Sequence, residues 1–396
     1  MTKKGWTAGA MFGTMIDYWA MTGDTTYNAV TMQAMVHQAG VDADFMPANQ
    51  TRTEGNDDQG FWAMAAMSAA EAKFPDPPSD RPQYLATAQA VFNQYASRWD
   101  TSLCNGGLRW QIFTFNAGYD YKNSISNGCF FNIGARLARY TGNTTYADWA
   151  DKVWDWMSSV NLITSDFGVH DGASVRNDEN CTRLDQARWT YNAATLLHGS
   201  AALYNVTESD KWKSRTQNLY DALIKYFMRN NVVVEIQCED SKTCNNDQSS
   251  FKGFLLRWLA STYQLAPFLA SDIRTYLRAA GEAAAKACTG SPEVGFKGIP
   301  GTACGFSWQD VGFDGMVGVG EQMNALSAVM YNLVADAAVP ITANTGGTSV
   351  GNVGGGSNDK HLGELAAITT GDRVGAGLLT TLAIVGVIGG CVFVLK

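Results

Sequence analysis

Three features of the sequence predict an all-α fold, an (α/α)6 toroid (barrel) of about six helical hairpins lacking part of the first. The first is a recurrence. YWAMTGDTTYNAV (18–30), ARYTGNTTYADWA (138–150) and ALYNVTESDKWKS (202–214) each close one helical pattern, make a polar turn, supply a Thr, Ser or Asp cap and open another helix with an aromatic residue. With Tyr84 and Ile273 in similar places, Tyr27, Tyr84, Tyr146, Trp212 and Ile273 mark steps of 57, 62, 66 and 61 residues. A unit of about 60 residues holds two helices and a functional loop.

The second feature is a pair of helix types within that unit. FWAMAAMSAA, CFFNIGARLA, YNAATLLHGSAALY and QMNALSAVMYNL are apolar nearly all round and rich in small residues, as befits helices covered on every side. Leu85, Ala88, Phe92, Tyr95 and Trp99, and likewise Trp212, Leu219, Leu223 and Tyr226, give the single apolar stripe of a half-exposed helix. An inner ring of the first type inside an outer ring of the second is a toroid. The third feature is the loops that enter the inner helices. GNDDQGFW (55–62), NGGLRWQIFTFNAGYDYKNSISNG (105–128), VHDGASVRNDENC running into RWTYN (169–192) and CNNDQSSFKGF (244–254) share Asn, Asp, Gly and aromatic residues. Gathered at one mouth, they set hydrogen-bonding groups beside flat apolar faces, which suits a pyranose with hydroxyls at its rim and C–H on its face.

The helical body is expected over 1–340, a flexible Gly/Ser/Thr-rich stalk and spacer over 341–373, and an apolar tail over 374–396. Val374–Leu395 carries no charge over 22 residues and only Lys396 follows. Small residues at Gly354–Ser357, a polar spacer and this tail form the pattern of a GPI-attachment signal, with Gly356 or a neighbour as the attachment site. A single membrane-spanning helix is the alternative. GPI attachment requires secretion, yet MTKKGWTAGAMFGTMIDYW has no apolar core of a signal peptide before Asp17. The expectation is therefore a truncated start, with a signal peptide and one more helix encoded upstream.

Composition narrows the function. A formal net charge of −8 without a basic run longer than Lys3-Lys4 excludes the footprint of a nucleic-acid binder. His37, His170, His198 and His361 are far apart and no metal-binding motif is present, so neither metal nor cofactor is predicted. A monomer is expected. Sequons at Asn49, Asn143, Asn180 and Asn205 fit a secreted glycoprotein. So do the cysteines: Cys238 with Cys244 and Cys288 with Cys304 bracket polar or Gly/Pro-rich loops and read as disulfides. Cys129 opens the apolar run CFFNIGARLARY and is expected to be free and buried, which pairs Cys104 with Cys181.

Asp57 and Asp58 have two readings. Acidic residues at a helix start satisfy orphan N–H groups and meet the positive end of the helix dipole. Alternatively, glycosidic bond cleavage uses two carboxyl groups. Adjacent, partly desolvated carboxylates cannot both ionise freely and keep one proton between them near neutral pH, which supplies one acid and one anion. The three other loops of like composition favour the second reading.

AGAMFGTMIDYW, NQTRTEGNDDQGFWAMAAMSAAE, GGLRWQI with YKNSISNG, RWTYN, SFKGFLLRW and DGMVGVGEQMNAL follow one another over roughly residues 6–335. They resemble successive blocks of glycoside hydrolase family 76, most closely its fungal GPI-anchored, endo-α-1,6-mannosidase-like cell-wall members. The resemblance implies an (α/α)6 fold and cleavage of α-1,6-linked mannose with retention of configuration. It makes Asp57 the nucleophile and Asp58 the general acid/base. Trp110, Asn123, Asp171, Tyr191 and Asn192 carry over as sugar contacts, and Lys252 as a weaker one near the mouth; for each, a loop-ordering hydrogen bond or a core position is the alternative. The implied partners are mannan or GPI-core glycan, wall glucan as an acceptor, and the membrane through a lipid anchor, at the outer face of the plasma membrane and in the cell wall. Hydrolysis and transglycosylation both remain open, as does a carbohydrate-binding wall protein without turnover.

Overall fold

A computed structural model describes residues 5–357 and 370–394, and the first of its two compact units closes at Ser357. Six helices form the inner ring of that unit: α1 (Gly5–Thr22), α3 (Asn56–Glu71), α5 (Ser124–Thr141), α7 (Thr190–Thr207), α9 (Phe251–Leu265) and α11 (Val319–Met330). Each packs on the next and α11 packs back on α1, so the ring closes. Behind them lie α2 (Asn28–Ala39), α4 (Tyr84–Ser97), α6 (Thr144–Ser159), α8 (Asp210–Phe227) and α10 (Ala270–Ala287). The expected toroid is present, with five outer helices among the described residues. At the sixth outer position Met11 and Met15 of α1 and Met323, Leu326 and Val329 of α11 line an apolar groove of about 520 Å³.

The two helix types sort as expected in α3 and α8, but α4, expected to be half-exposed, is mostly buried, with residues 349–355 lying on it. In α3 every residue from Gln59 to Ala70 except Ser68 is buried, whereas α8 buries one stripe through Trp212, Thr216, Leu219, Leu223 and Phe227. Of the three caps expected from Thr, Ser or Asp, one is in place, Ser209 Oγ accepting from Trp212 N (3.4 Å) at the start of α8; α6 is capped by Asn143 instead, whose Oδ1 accepts from Thr145 N (3.0 Å), and α2 follows Tyr27 without a side-chain cap. Gly60 allows α3 its approach to α4 and α5, since a Cβ there would lie 2.7 Å from both Cys129 Cβ and Tyr95 Oη.

A buried polar network ties the inner helices together towards the C-terminal end of α3. Arg136 of α5 donates from Nη2 to Glu71 Oε2 (2.6 Å) and to Ser68 Oγ (2.9 Å). Arg257 of α9 donates from Nε to Asp17 Oδ2 (2.7 Å) and from Nη2 to Ser68 (3.1 Å), and Tyr331 Oη donates to the same Asp17 oxygen (2.7 Å). Every charge here has a counter-charge, which makes its burial tolerable.

Disulfides join Cys104 to Cys181, Cys238 to Cys244 and Cys288 to Cys304, and Cys129 is buried and unpaired, as expected. The stalk departs from expectation. Residues 341–357 lie along the body: Ile341 N donates to Glu71 O (2.8 Å), Leu85 N to Ser349 Oγ (3.0 Å) and Asn93 Nδ2 to Gly355 O (2.7 Å). A Gly/Ser/Thr-rich composition reads as flexible, but here its polar groups find partners on α3 and α4. The rest of the spacer, 358–369, is outside the described residues. The tail forms α12 (Thr370–Val394), in the second compact unit, with exposed apolar side chains such as Leu378, Leu379 and Ile388.

Candidate active site

The aspartate pair sits in the first turn of α3. Gly55 is the N-cap residue, extended at φ −90°, ψ 169°. Asp58, three residues on, accepts at Oδ2 from Gly55 N (2.8 Å) and at Oδ1 from Trp6 N of α1 (3.1 Å). Capping and a place in the cleft are thus both true of Asp58. Asp57 accepts at Oδ2 from Trp110 Nε1 (3.0 Å), while Oδ1 is covered and has no side-chain partner. Asn56 anchors the turn from behind. It donates from Nδ2 to Arg109 O (2.8 Å), accepts at Oδ1 from Arg98 Nη1 (3.0 Å), and its carbonyl accepts from Tyr95 Oη.

Desolvation raises the pKa of Asp57 well above the usual carboxylate range, and the charge of Asp58 adds to this against the opposing Trp110 N–H. Both effects favour the protonated form of Asp57.

A small antiparallel sheet builds the facing wall: β1 (Tyr121–Asn123), β2 (Gly172–Ser174) and β3 (Leu184–Asp185), in that order. Asn123 pairs with Gly172 and Gly172 with Asp185. Strand alternation sends Tyr121 and Asn123 into the cleft. Lys122 points the other way, where its Nζ donates to the carbonyls of Asp100 (2.9 Å), Leu103 (2.8 Å) and Gly106 (2.6 Å). Asp171, just before β2, accepts from Tyr121 Oη (2.7 Å) and Asn192 Nδ2 (3.5 Å), and desolvation raises its pKa as well. Aromatic rings complete the wall: Tyr191 stacks on Phe251 with centroids 3.8 Å apart, and Trp189 meets Phe251 edge-on at 5.8 Å. The whole encloses a cleft of about 550 Å³, with carboxyl groups on two sides and rings between them.

The sequence matches the family described as Glycosyl hydrolase family 76 over residues 1–344. The chain belongs to that family. Among its relatives is the Saccharomyces cerevisiae mannan endo-1,6-alpha-mannosidase DCW1, 48% identical over 386 residues that cover 96% of this chain and 83% of the relative. The mannan endo-1,6-alpha-mannosidase DFG5 of the same yeast is 41% identical over 396 residues, covering 98% and 84%. Dfg5 from Chaetomium thermophilum, solved in complex with glucosamine, superposes with a TM-score of 0.85 at 47% identity, over 90% of this chain and 87% of that one. The α-1,6-mannanase GH76A of Salegentibacter sp. HEL1_6, solved as an inactive variant with α-1,6-mannotriose, shares the fold at 16% identity, with a TM-score of 0.66 and coverage of 83% and 89%.

In this family 76 chain the cleft brings together six of the eight residues singled out from sequence: Asp57, Asp58, Trp110, Asn123, Asp171 and Tyr191. Asn123 also caps α5, accepting at Oδ1 from Ser126 N (3.2 Å). Asn192 lies behind the cleft on α7 and reaches it only through Asp171. Lys252 is a correction. It is fully buried away from the mouth, where Nζ donates to Glu239 Oε1 (3.1 Å) and to Phe306 O and lies 4.2 and 4.4 Å from the centres of the Phe306 and Trp308 rings. One residue along a helix is a turn of about 100°, so Phe251 takes the cleft and Lys252 faces the disulfide-bonded loops.

Sequence reasoning missed Trp6, Tyr121, Asp185, Trp189, Asp247 and Phe251 as cleft residues. Trp189 and Phe251 adjoin inner-helix starts within the quoted loops, and that position was the available signal. Trp6 arrives only through packing of α1 on α3, which carries no local signal.

Proposed function

We propose that this chain is a retaining endo-glycosidase for α-1,6-linked mannose in the fungal cell wall, with Asp57 as nucleophile and Asp58 as general acid/base. The observation that carries this reading is the pair itself: two adjacent carboxyls, each fixed by its own donors, in a cleft walled by aromatic rings. The 41–48% identity to mannan endo-1,6-alpha-mannosidases supports the choice of substrate.

Asp58 gives its proton to the leaving glycosidic oxygen while Asp57 attacks the anomeric carbon, forming a glycosyl-enzyme ester. Asp58, now ionised, takes a proton from the incoming hydroxyl and configuration is retained. Trp110 keeps the Asp57 carboxylate in line, and the Gly55 and Trp6 amides hold that of Asp58. In the free cleft desolvation draws the proton towards Asp57. A bound sugar, with its electropositive carbon against Asp57 and its basic oxygen against Asp58, draws it back.

A second reading, transfer to a wall glucan hydroxyl in place of water, is favoured by a neighbouring cleft of about 700 Å³ that shares Trp110, Tyr121 and Asp185 with the first. Ser174, Arg176 and Arg183 line its far side. The donor is then mannan or a GPI-core glycan. The C-terminal apolar segment serves as a GPI-attachment signal, which places the enzyme at the outer membrane face beside the wall. The deciding experiment incubates the protein with a defined α-1,6-manno-oligosaccharide, with and without labelled glucan acceptor, and follows the products by mass spectrometry. Shortened products mean hydrolysis and labelled, lengthened ones mean transfer. A folded protein that leaves the oligosaccharide unchanged, with or without acceptor, supports a binding protein.

A further inference from the structure

One carboxyl group beside the pair has no place in the mechanism above. Glu54 precedes Gly55, is 3% exposed, and has no ion-pair partner among the described residues. Gln38 Nε2 donates to its Oε1 (3.2 Å) and to Gln50 Oε1 (3.3 Å), and Oε2 is buried without a hydrogen-bond partner. The group lies behind Asp58. A Cβ added to Gly5 would meet Gln50 Oε1 at 3.5 Å, Glu54 Oε1 at 3.7 Å and Asp58 Oδ1 at 3.8 Å, so three oxygens from two elements converge where α1 begins.

The charged groups that face Glu54 are Asp58 of α3, Asp44 of the preceding loop and Arg98 at the end of α4. Arg98 is engaged elsewhere, donating to Asn56 Oδ1 (3.0 Å) and Gln59 Oε1 (2.7 Å). Desolvation first, then the charges of Asp58 and Asp44, push Glu54 up to about 9. A carboxyl raised above its unfolded value of about 4.3 contributes stability that is fully present below that pH and is lost as pH rises through the folded value. A group that weakens the fold at neutral pH and sits against a functional pair is a candidate for a role there.

We infer that Glu54 is a positioning residue for Asp58, a neutral, proton-bearing carboxyl that fills the space behind the Asp58 carboxylate without adding a second negative charge. The inference rests on the pair being catalytic, as proposed above. Ionisation of Glu54 would place a charge behind Asp58 and raise the proton affinity of the pair.

The test compares wild type, Glu54→Gln, Glu54→Ala and an Asp57→Asn control on the α-1,6-manno-oligosaccharide, measuring kcat, KM and Tm across pH. Glu54→Ala is expected to lower kcat about tenfold with little change in KM and to shift the pH profile, and Glu54→Gln to restore kcat to within about threefold. Glu54→Gln should also raise Tm at pH 8, a gain that vanishes towards pH 4. Should the alanine variant not fold, Glu54→Met takes its place as the side chain of similar length without the polar group. The inference is overturned if removal of the carboxyl leaves kcat and pH profile unchanged, or if Glu54→Gln is as impaired as Glu54→Ala. It also fails if wild type and Glu54→Gln lose Tm equally as pH rises, a reading that needs no activity. Full activity of Asp57→Asn would instead remove the catalytic pair and leave the Tm result on Glu54 to stand by itself.

Discussion

The two ends of α3 bury carboxyl groups in opposite ways. At the C-terminal end Glu71 bonds Arg136 at 2.6 Å, Asp17 bonds Arg257 at 2.7 Å, and Ser68 accepts from both arginines. About 20 Å away along the helix, Glu54, Asp57 and Asp58 crowd the N-terminal turn, and the nearby Arg98 donates to the amides of Asn56 and Gln59. The helix dipole explains part of the asymmetry, since it favours negative charge at the first turn and disfavours it at the last, where Glu71 therefore needs a cation. The remainder is chemistry. Compensated charge gives a rigid ring, whereas carboxyls crowded together out of water keep protons that can be moved.

Disturbing the buried carboxyls should therefore have opposite consequences at the two ends, and the largest effect is expected at the mouth. Asp57→Asn should lose about a thousandfold or more of activity while the fold remains, because the amide cannot act as the nucleophile yet keeps the shape of the carboxyl. Steady-state rates alongside thermal unfolding check this, and near-normal turnover would break the comparison. At the other end Arg136→Met leaves Glu71 buried without its partner and should cost about 3–5 kcal/mol of stability. Activity per folded molecule, measured at a temperature where the variant stays folded, should be nearly unchanged. A selective loss of activity without loss of stability would mean that the paired end also serves the reaction.

How much of this was legible in the sequence follows the range of the forces involved. Inner and outer helices were readable because burial on every side, or on one stripe, is written into residues a few positions apart, as in FWAMAAMSAA against Trp212–Leu219–Leu223. The disulfides followed from loop polarity and an apolar Cys129. Asp57 and Asp58 stood out as neighbours, but their donors did not: Trp110 is 53 residues from Asp57, and Trp6 is 52 from Asp58. The sheet of Tyr121–Asn123, Gly172–Ser174 and Leu184–Asp185 has strands too short for alternation to register, although it is what sets Asp171 and Asp185 opposite the pair. Lys252 misled because a polar residue in a mouth-like segment reads the same whether it faces the cleft or lies one helical step away from it.

The finest difference between the two ends is in single hydrogen bonds. Trp110→Phe keeps an aromatic wall and deletes only the Nε1–H that Asp57 accepts. That donor opposes the rise in the Asp57 pKa, so its loss should raise it further. A hydrogen bond to a charged group contributes about 1.5–3 kcal/mol, which corresponds to about one to two pH units. The acidic limb of kcat/KM, which needs Asp57 ionised, should move to higher pH by that amount, with activity recovering as pH rises. Ser68→Ala is the matching change at the paired end: it removes an acceptor shared by Arg136 and Arg257, yet touches no group with a displaced proton. It should lower Tm slightly and leave the pH profile where it was. If instead Ser68→Ala moved the profile, or Trp110→Phe did not, the separation of proton-holding and charge-paired ends along α3 would not hold.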